Sequence, residues 1–173
     1  MATTFYQTSP AYGSPAAWCE SNQAIAHVIN LHRTKLQHAI GLAADIRQGM
    51  ERLFPLLDEL CLLTCRLCPN PCCIVATVWI DFRDLLFLHL SELPIPPAQL
   101  IPNLNEDCRY YGHRGCRLPR LLRPWACTVY LCGTQVHNLR KKPQAIQKTF
   151  DRNVSAIKAQ RFEMEAEFVQ IIA

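Results

Sequence analysis

Residues 21–54 read SNQAIAHVINLHRTKLQHAIGLAADIRQGMERLF. Ile25, Ile29, Leu36, Ile40, Ala43, Met50 and Leu53 fall at three- and four-residue spacings or sums of them, and Arg33, Lys35, Asp45, Arg47 and Glu51 lie off that stripe. This period is that of an amphipathic helix. Ser21 is placed to cap its first turn with a side-chain oxygen. Pro55 predicts a kink or a new first turn, after which PLLDELCLLTC (55–65) continues helically.

At the other end, Pro143 suits the first turn of a last helix, whose apolar face carries Ile146, Phe150, Val154, Ile157, Phe168 and Ile172. Helices over about 21–60 and 143–172 invite antiparallel packing. The expected fold is mainly α, with these two long terminal helices packed on an irregular Pro- and Cys-rich region. Between them, Pro69, Asn70 and Pro71 break the first helix. IVATVWI (74–80) reads as a short strand or extended link. Asp81 and Asp84 form a capping arrangement that opens a short helix through LLFLHL. SELPIPPAQLIPN (91–103) holds four prolines and is read as a loop.

The chain has 173 residues, half of them hydrophobic, enough for one domain with its own core. Residues 1–19 are rich in Thr, Ser, Pro and Ala without periodicity and are expected to be a flexible tail, leaving 20–173 as a single domain. The first nineteen residues lack a basic stretch and a continuous apolar run, so they do not read as a signal peptide. The uncharged stretch 67–80 is too short to span a bilayer and carries Pro69 and Pro71. These features point to a cytoplasmic protein, where thiols stay reduced and clustered cysteines serve metal or redox chemistry more often than disulfides.

There are ten cysteines. Cys19 stands apart. Cys61, Cys65, Cys68, Cys72 and Cys73 occupy CLLTCRLCPNPCC (61–73), and Cys108, Cys116, Cys127 and Cys132 occupy a Gly- and Pro-interrupted block at 105–133. A two-residue spacer lets Cys65 and Cys68 converge on one ion, and a distant group completes the coordination. Such a site also staples a segment that core burial alone would not fold. A thioredoxin-like redox pair needs a βαβ context, whereas the flanks here are helical.

The order CRLCPNPCC, then C-x7-C with GCRLP, then RP-x2-C-x4-C resembles the YkgJ-type cysteine-cluster family, also called the CxxCxxCC or zinc- or iron-chelating domain. The resemblance covers roughly residues 60–133. It implies that Cys65, Cys68, Cys72, Cys73, Cys108, Cys116, Cys127 and Cys132 are metal ligands. It also matches Arg123-Pro124 to the family's RP step and Asp84 to an acidic residue after the first cluster. Here three residues, not two, separate Cys68 from the CC pair, and Cys61 is an additional candidate. Some relatives resemble flagellin lysine N-methylases, longer proteins; a chain of this length leaves little room for a methyl-donor domain, so that activity is not carried over.

Eight thiolates suit either zinc or a [4Fe–4S] cluster, and either centre with four thiolates carries a net charge of about −2. From Cys108 to Lys142 there are eight basic residues and no acidic one. Arg117, Arg120 and Arg123 in that window are placed to compensate the centre and donate hydrogen bonds to sulfur. His113 and His137 are alternative ligands. No zinc-finger spacing with a recognition helix accompanies the basic window, so nucleic acid is not the expected partner; another protein is. Nucleophile elbows, phosphate loops and dinucleotide fingerprints are missing from the sequence. The leading expectation is a cysteine-thiolate metal-binding protein with an accessory or redox role. The alternatives are an iron–sulfur-dependent protein-modifying enzyme and a zinc-stapled interaction module with a basic face.

Overall fold

A computed structural model describes residues 12–65, 68–104, 106–113 and 115–172, and of Cys73 the backbone only. The protein is mainly helical. Its long elements are α1 (Pro15–His32), α2 (Gln37–Thr64) and α7 (Gln144–Ile172). The shorter ones are α3 (Cys72–Val75), α4 (Phe82–Leu90), α5 (Trp125–Val129) and α6 (Gly133–Arg140), with a two-stranded antiparallel hairpin, β1 (Tyr111–Gly112) and β2 (Gly115–Cys116).

The first helix starts earlier than Ser21. Ser14 is its N-cap, its hydroxyl accepting from the Ala17 N–H at 3.1 Å, and Pro15 opens the first turn, where its missing N–H costs nothing. The expected tail therefore ends sooner. Residues 1–11 lie outside the described residues, but Trp18 is 5% exposed and its indole N–H donates to the Pro96 carbonyl at 3.0 Å. The stripe through 21–60 also belongs to two helices. A turn at 33–36 separates α1 from α2 and buries Leu36 completely, and no glycine or proline marks it. Pro55 lies inside α2 on its exposed side, where water can satisfy the carbonyl that proline leaves unpaired.

Helices α2 and α7 pair antiparallel. His38 near the start of α2 meets Glu167 near the end of α7 at 2.9 Å, and Glu59 near the end of α2 meets Lys142 just before α7. Ile46, Met50, Leu57 and Leu60 of α2 are buried with Ile157, Met164 and Phe168 of α7 and with Leu85, Leu86 and Leu88 of α4. Close approach at the middle needs Gly49: a Cβ there would stand 2.9 Å from Ile157 Cγ1. Gly49→Val is expected to cost about 1–3 kcal/mol by overpacking this seam, read as a lowered urea midpoint. An unchanged midpoint would mean that the helices do not approach so closely.

The capping arrangement at Asp81 forms as expected: its carboxylate accepts from the Asp84 N–H at 2.8 Å, and the Asp84 carboxylate accepts from the Asp81 N–H at 3.2 Å. The segment 74–80 does not form a strand. Ile74 and Val75 finish α3, and the rest runs as an extended link. Its end is held by Gln99, whose amide pairs with both backbone groups of Ile80, at 2.7 and 3.0 Å, and so replaces a neighbouring strand. The proline-rich loop in turn anchors the second cysteine block. The Tyr110 hydroxyl donates to the Ala98 carbonyl at 2.9 Å, and the Arg109 N–H donates to the Leu100 carbonyl at 2.8 Å.

Candidate metal centre

The end of α2 delivers the first thiols. Cys61 and Cys65 are one turn apart on one face. The α2 helix has no basic residue in its last turn. The partial negative charge of that end is met by cations from elsewhere in the chain: Arg120 pairs with Asp58, and Lys142 with Glu59. Arg120 also reaches the Cys61 sulfur at 3.7 Å. Gln135 of α6, 5% exposed, donates from Nε2 to the Cys61 and Cys65 sulfurs, each at 3.5 Å, and its Oε1 accepts from the Cys132 N–H at 3.1 Å. Cys132, the N-cap of α6, thus joins this group through Gln135.

The second group surrounds Cys127. Although Cys127 keeps an opening to solvent, burial pushes its thiol up to about 12, and the charges of Cys116, Cys108, Cys72 and Asp84 add to the rise. Burial and Cys116 raise Cys108 as well, against the Tyr110 and Tyr111 N–H groups and Arg117. Cys108 precedes the hairpin and Cys116 closes it, opposite Tyr111; Gly115 supplies the left-handed backbone of the turn, with φ of +100°. Cys65 links the groups: burial raises its thiol to about 11, the Thr64 hydroxyl lowers it in part, and Cys61 and Cys72 push it up again. Burial first, and neighbouring thiols second, favour the neutral form of Cys65, Cys108 and Cys127, an effect that a cation among them would reverse.

Asp84 positions Cys127. Its Oδ1 accepts from the Trp125 N–H at the start of α5 at 2.9 Å and from Arg161 Nη2 of α7 at 2.7 Å. Burial lifts the Asp84 carboxyl to about 6, outweighing the opposite pull of Arg161. The Arg161 guanidinium also faces the Trp125 ring, 5.8 Å from its centroid.

Of the expected ligands, Cys65, Cys72, Cys108, Cys116 and Cys127 are brought within electrostatic range of one another in a chain. Cys132 is tied in by Gln135, and Cys68 stands exposed, its N–H donating to the Cys65 carbonyl at 3.3 Å. The Cys73 side chain lies outside the described residues. Among the arginines, Arg120 approaches a sulfur, whereas Arg117 donates to the Arg109 carbonyl at 2.5 Å and Arg123 to the Leu118 carbonyl at 2.9 Å, bracing the loop. His113 is exposed at the hairpin turn and His137 is exposed on α6. Sequence reasoning left Cys61 at the margin and did not single out Gln135 or Arg161. Two surface clefts, of about 220 and 270 Å3, are lined by residues other than cysteine.

The donor chemistry suits a soft metal, since the described cysteines are free thiols. Among the described residues, however, no group of three His, Cys, Asp or Glu stands close enough together to hold an ion. The chain matches no protein-family model, no curated protein and no solved structure. Among the described residues, no helix is long and apolar enough to cross a membrane.

Proposed function

We propose that this is a cysteine-thiolate metal-binding protein, cytoplasmic, whose centre is zinc or a [4Fe–4S] cluster. The ligands are drawn from Cys65, Cys68, Cys72, Cys73, Cys108, Cys116, Cys127 and Cys132. One observation carries the reading: the Cys61 and Cys65 sulfurs accept from one amide, Gln135 Nε2, which also holds the Cys132 backbone, and Cys72 lies within electrostatic reach of both Cys65 and Cys127. The resemblance of 60–133 to the YkgJ-type cluster supports it further. When bound, the centre neutralises the crowded thiolates and staples the irregular segment; an iron–sulfur centre would add electron transfer. The chain's own groups orient it: Asp84 fixes α5, and Arg120 offsets negative charge beside Cys61.

A second reading, an interaction module for another protein, is favoured by the surroundings of the cysteines. Leu62 (71% exposed), Leu63 (63%), Val75 (67%) and Tyr130 (58%) present apolar surface within three residues of proposed ligands. Arg109, Arg117, Arg140 and Lys141 are exposed in the basic window. Apolar and basic surface together suit an acidic, partly apolar protein partner better than nucleic acid or a membrane.

Anaerobic purification followed by absorption spectroscopy and elemental analysis of one sample tests the metal reading. Stoichiometric iron with a broad visible band is the result expected for a cluster; a colourless protein with stoichiometric zinc is the result expected for a staple. A folded protein carrying neither metal, and taking up neither when reduced, overturns the proposal.

A further inference from the structure

We propose that Cys61 is a metal ligand, paired with Cys65, and that Gln135 is the positioning residue that holds both sulfurs. The inference deepens the metal-binding reading and rests on it. Four observations carry it. The two thiols lie one turn apart on the same face of α2, a spacing at which two side chains reach one ion. Both sulfurs accept from the same donor, Gln135 Nε2, at 3.5 Å. That amide cannot flip without loss, because its Oε1 takes the Cys132 N–H at 3.1 Å; the two donor hydrogens must face the sulfurs. Arg120 brings a cationic donor to Cys61 alone, at 3.7 Å, while pairing with Asp58 one turn earlier on α2.

A neutral thiol is a weak acceptor and leaves a buried amide poorly satisfied. A thiolate accepts charge-assisted hydrogen bonds, so an amide and a guanidinium directed at these sulfurs suit the deprotonated, metal-bound form. The same amide ties the Cys61–Cys65 pair to the backbone of Cys132, so one side chain sets three cysteines of the site relative to one another.

Titration of the reduced, metal-free full chain with cobalt(II) tests this, because each coordinated thiolate adds to the sulfur-to-cobalt charge-transfer band. Cys61→Ser is expected to lose one thiolate's share of the band and to bind cobalt at least about tenfold more weakly, while Cys19→Ser matches the wild type. Gln135→Ala is expected to keep the band's intensity, shift its energy, and weaken binding about 10- to 100-fold with the far-UV circular dichroism unchanged. Should Cys61→Ser fail to fold, alkylation of the wild type gives the answer. Cobalt-loaded protein is expected to protect Cys61 from iodoacetamide, and metal-free protein to expose it, read by peptide mass spectrometry. A Cys61→Ser protein with the full band and affinity, or a Cys61 that alkylates equally in both forms, overturns the ligand assignment while leaving the metal reading intact. A wild type that shows no cobalt band overturns both.

Discussion

Asp84→Ala is expected to lower the unfolding free energy by about 3–5 kcal/mol, the cost of leaving one partner of a buried ion pair alone. The Asp84 and Arg161 side chains are 8% and 4% exposed, and Oδ1 and Nη2 stand 2.7 Å apart. Removing the carboxylate strands the Arg161 guanidinium beside Trp125, with Asp81 at 3.6 Å as its remaining acidic neighbour. It also removes the acceptor for the Trp125 N–H, so α5 and Cys127 lose their anchor. Adding Arg161→Met should restore part of the loss, because an apolar side chain replaces the unpaired charge. Urea unfolding of the three variants measures this; a double mutant no better than Asp84→Ala alone would show that the cost lies in α5 and not in the buried charge.

The same carboxyl sets a pH dependence with a definite sign. Burial raises Asp84 from its ordinary 3.8 to about 6 in the folded protein. Its contribution to stability is therefore fully present below the unfolded value and is lost as pH rises through the folded one. Relative to the non-titrating Asp84→Asn, the wild type is expected to gain about 1 kcal/mol between about pH 7.5 and about pH 5. A difference that stays flat across that range would mean that Asp84 titrates normally.

On the metal-binding proposal, chelation under reducing conditions is the second large effect. It is expected to remove about 4 kcal/mol of stabilisation, the value for a ligand present at a thousandfold excess over its Kd. The loss should be local. Hydrogen exchange should accelerate in 68–81 and 106–132, where core side chains are few, and stay slow in α2 and α7, whose seam is built from Ile46, Met50, Ile157 and Met164. Burial raises Cys65 to about 11 and Cys127 to about 12, so under the proposal metal uptake by these thiols would release their protons. Affinity should rise with pH, and titration calorimetry in buffers of different ionisation enthalpy should count the protons. Exchange that chelator leaves unchanged throughout would remove the stapling role.

Much of the scaffold can be read from the chain in order. The middle of the α7 apolar face (Phe150, Ile157 and Phe168), the proline before it and the Asp81–Asp84 cap are local features and appear where their patterns predict, whereas Ile146 and Ile172 at the two ends of that face are exposed. The Ser14-Pro15 start is equally local; composition, which suggested a tail, masked a capping pattern that was present. The turn at 33–36 is different, because Leu36 continues the apolar stripe across it, and its burial is settled by what packs around it. The spacing of the two cysteine groups is what suggests soft-metal chemistry, the reading proposed above.

What holds those groups was not legible. Gln135 contacts residues 70 and 74 positions away, and Arg161 contacts Asp84 across 77, and each is a lone polar residue on an otherwise ordinary helix. The sequence by itself determined the helical class, the pairing of long amphipathic elements and the soft-donor chemistry, because periodicity, caps and residue type act at short range. Only the tertiary structure decided which polar side chains are buried, that Arg120 and not Arg117 or Arg123 meets a sulfur, and that Cys61 stands with Cys65 under one amide. Those choices depend on hydrogen bonds between elements far apart in the chain, satisfied because burial makes an unpaired polar group costly.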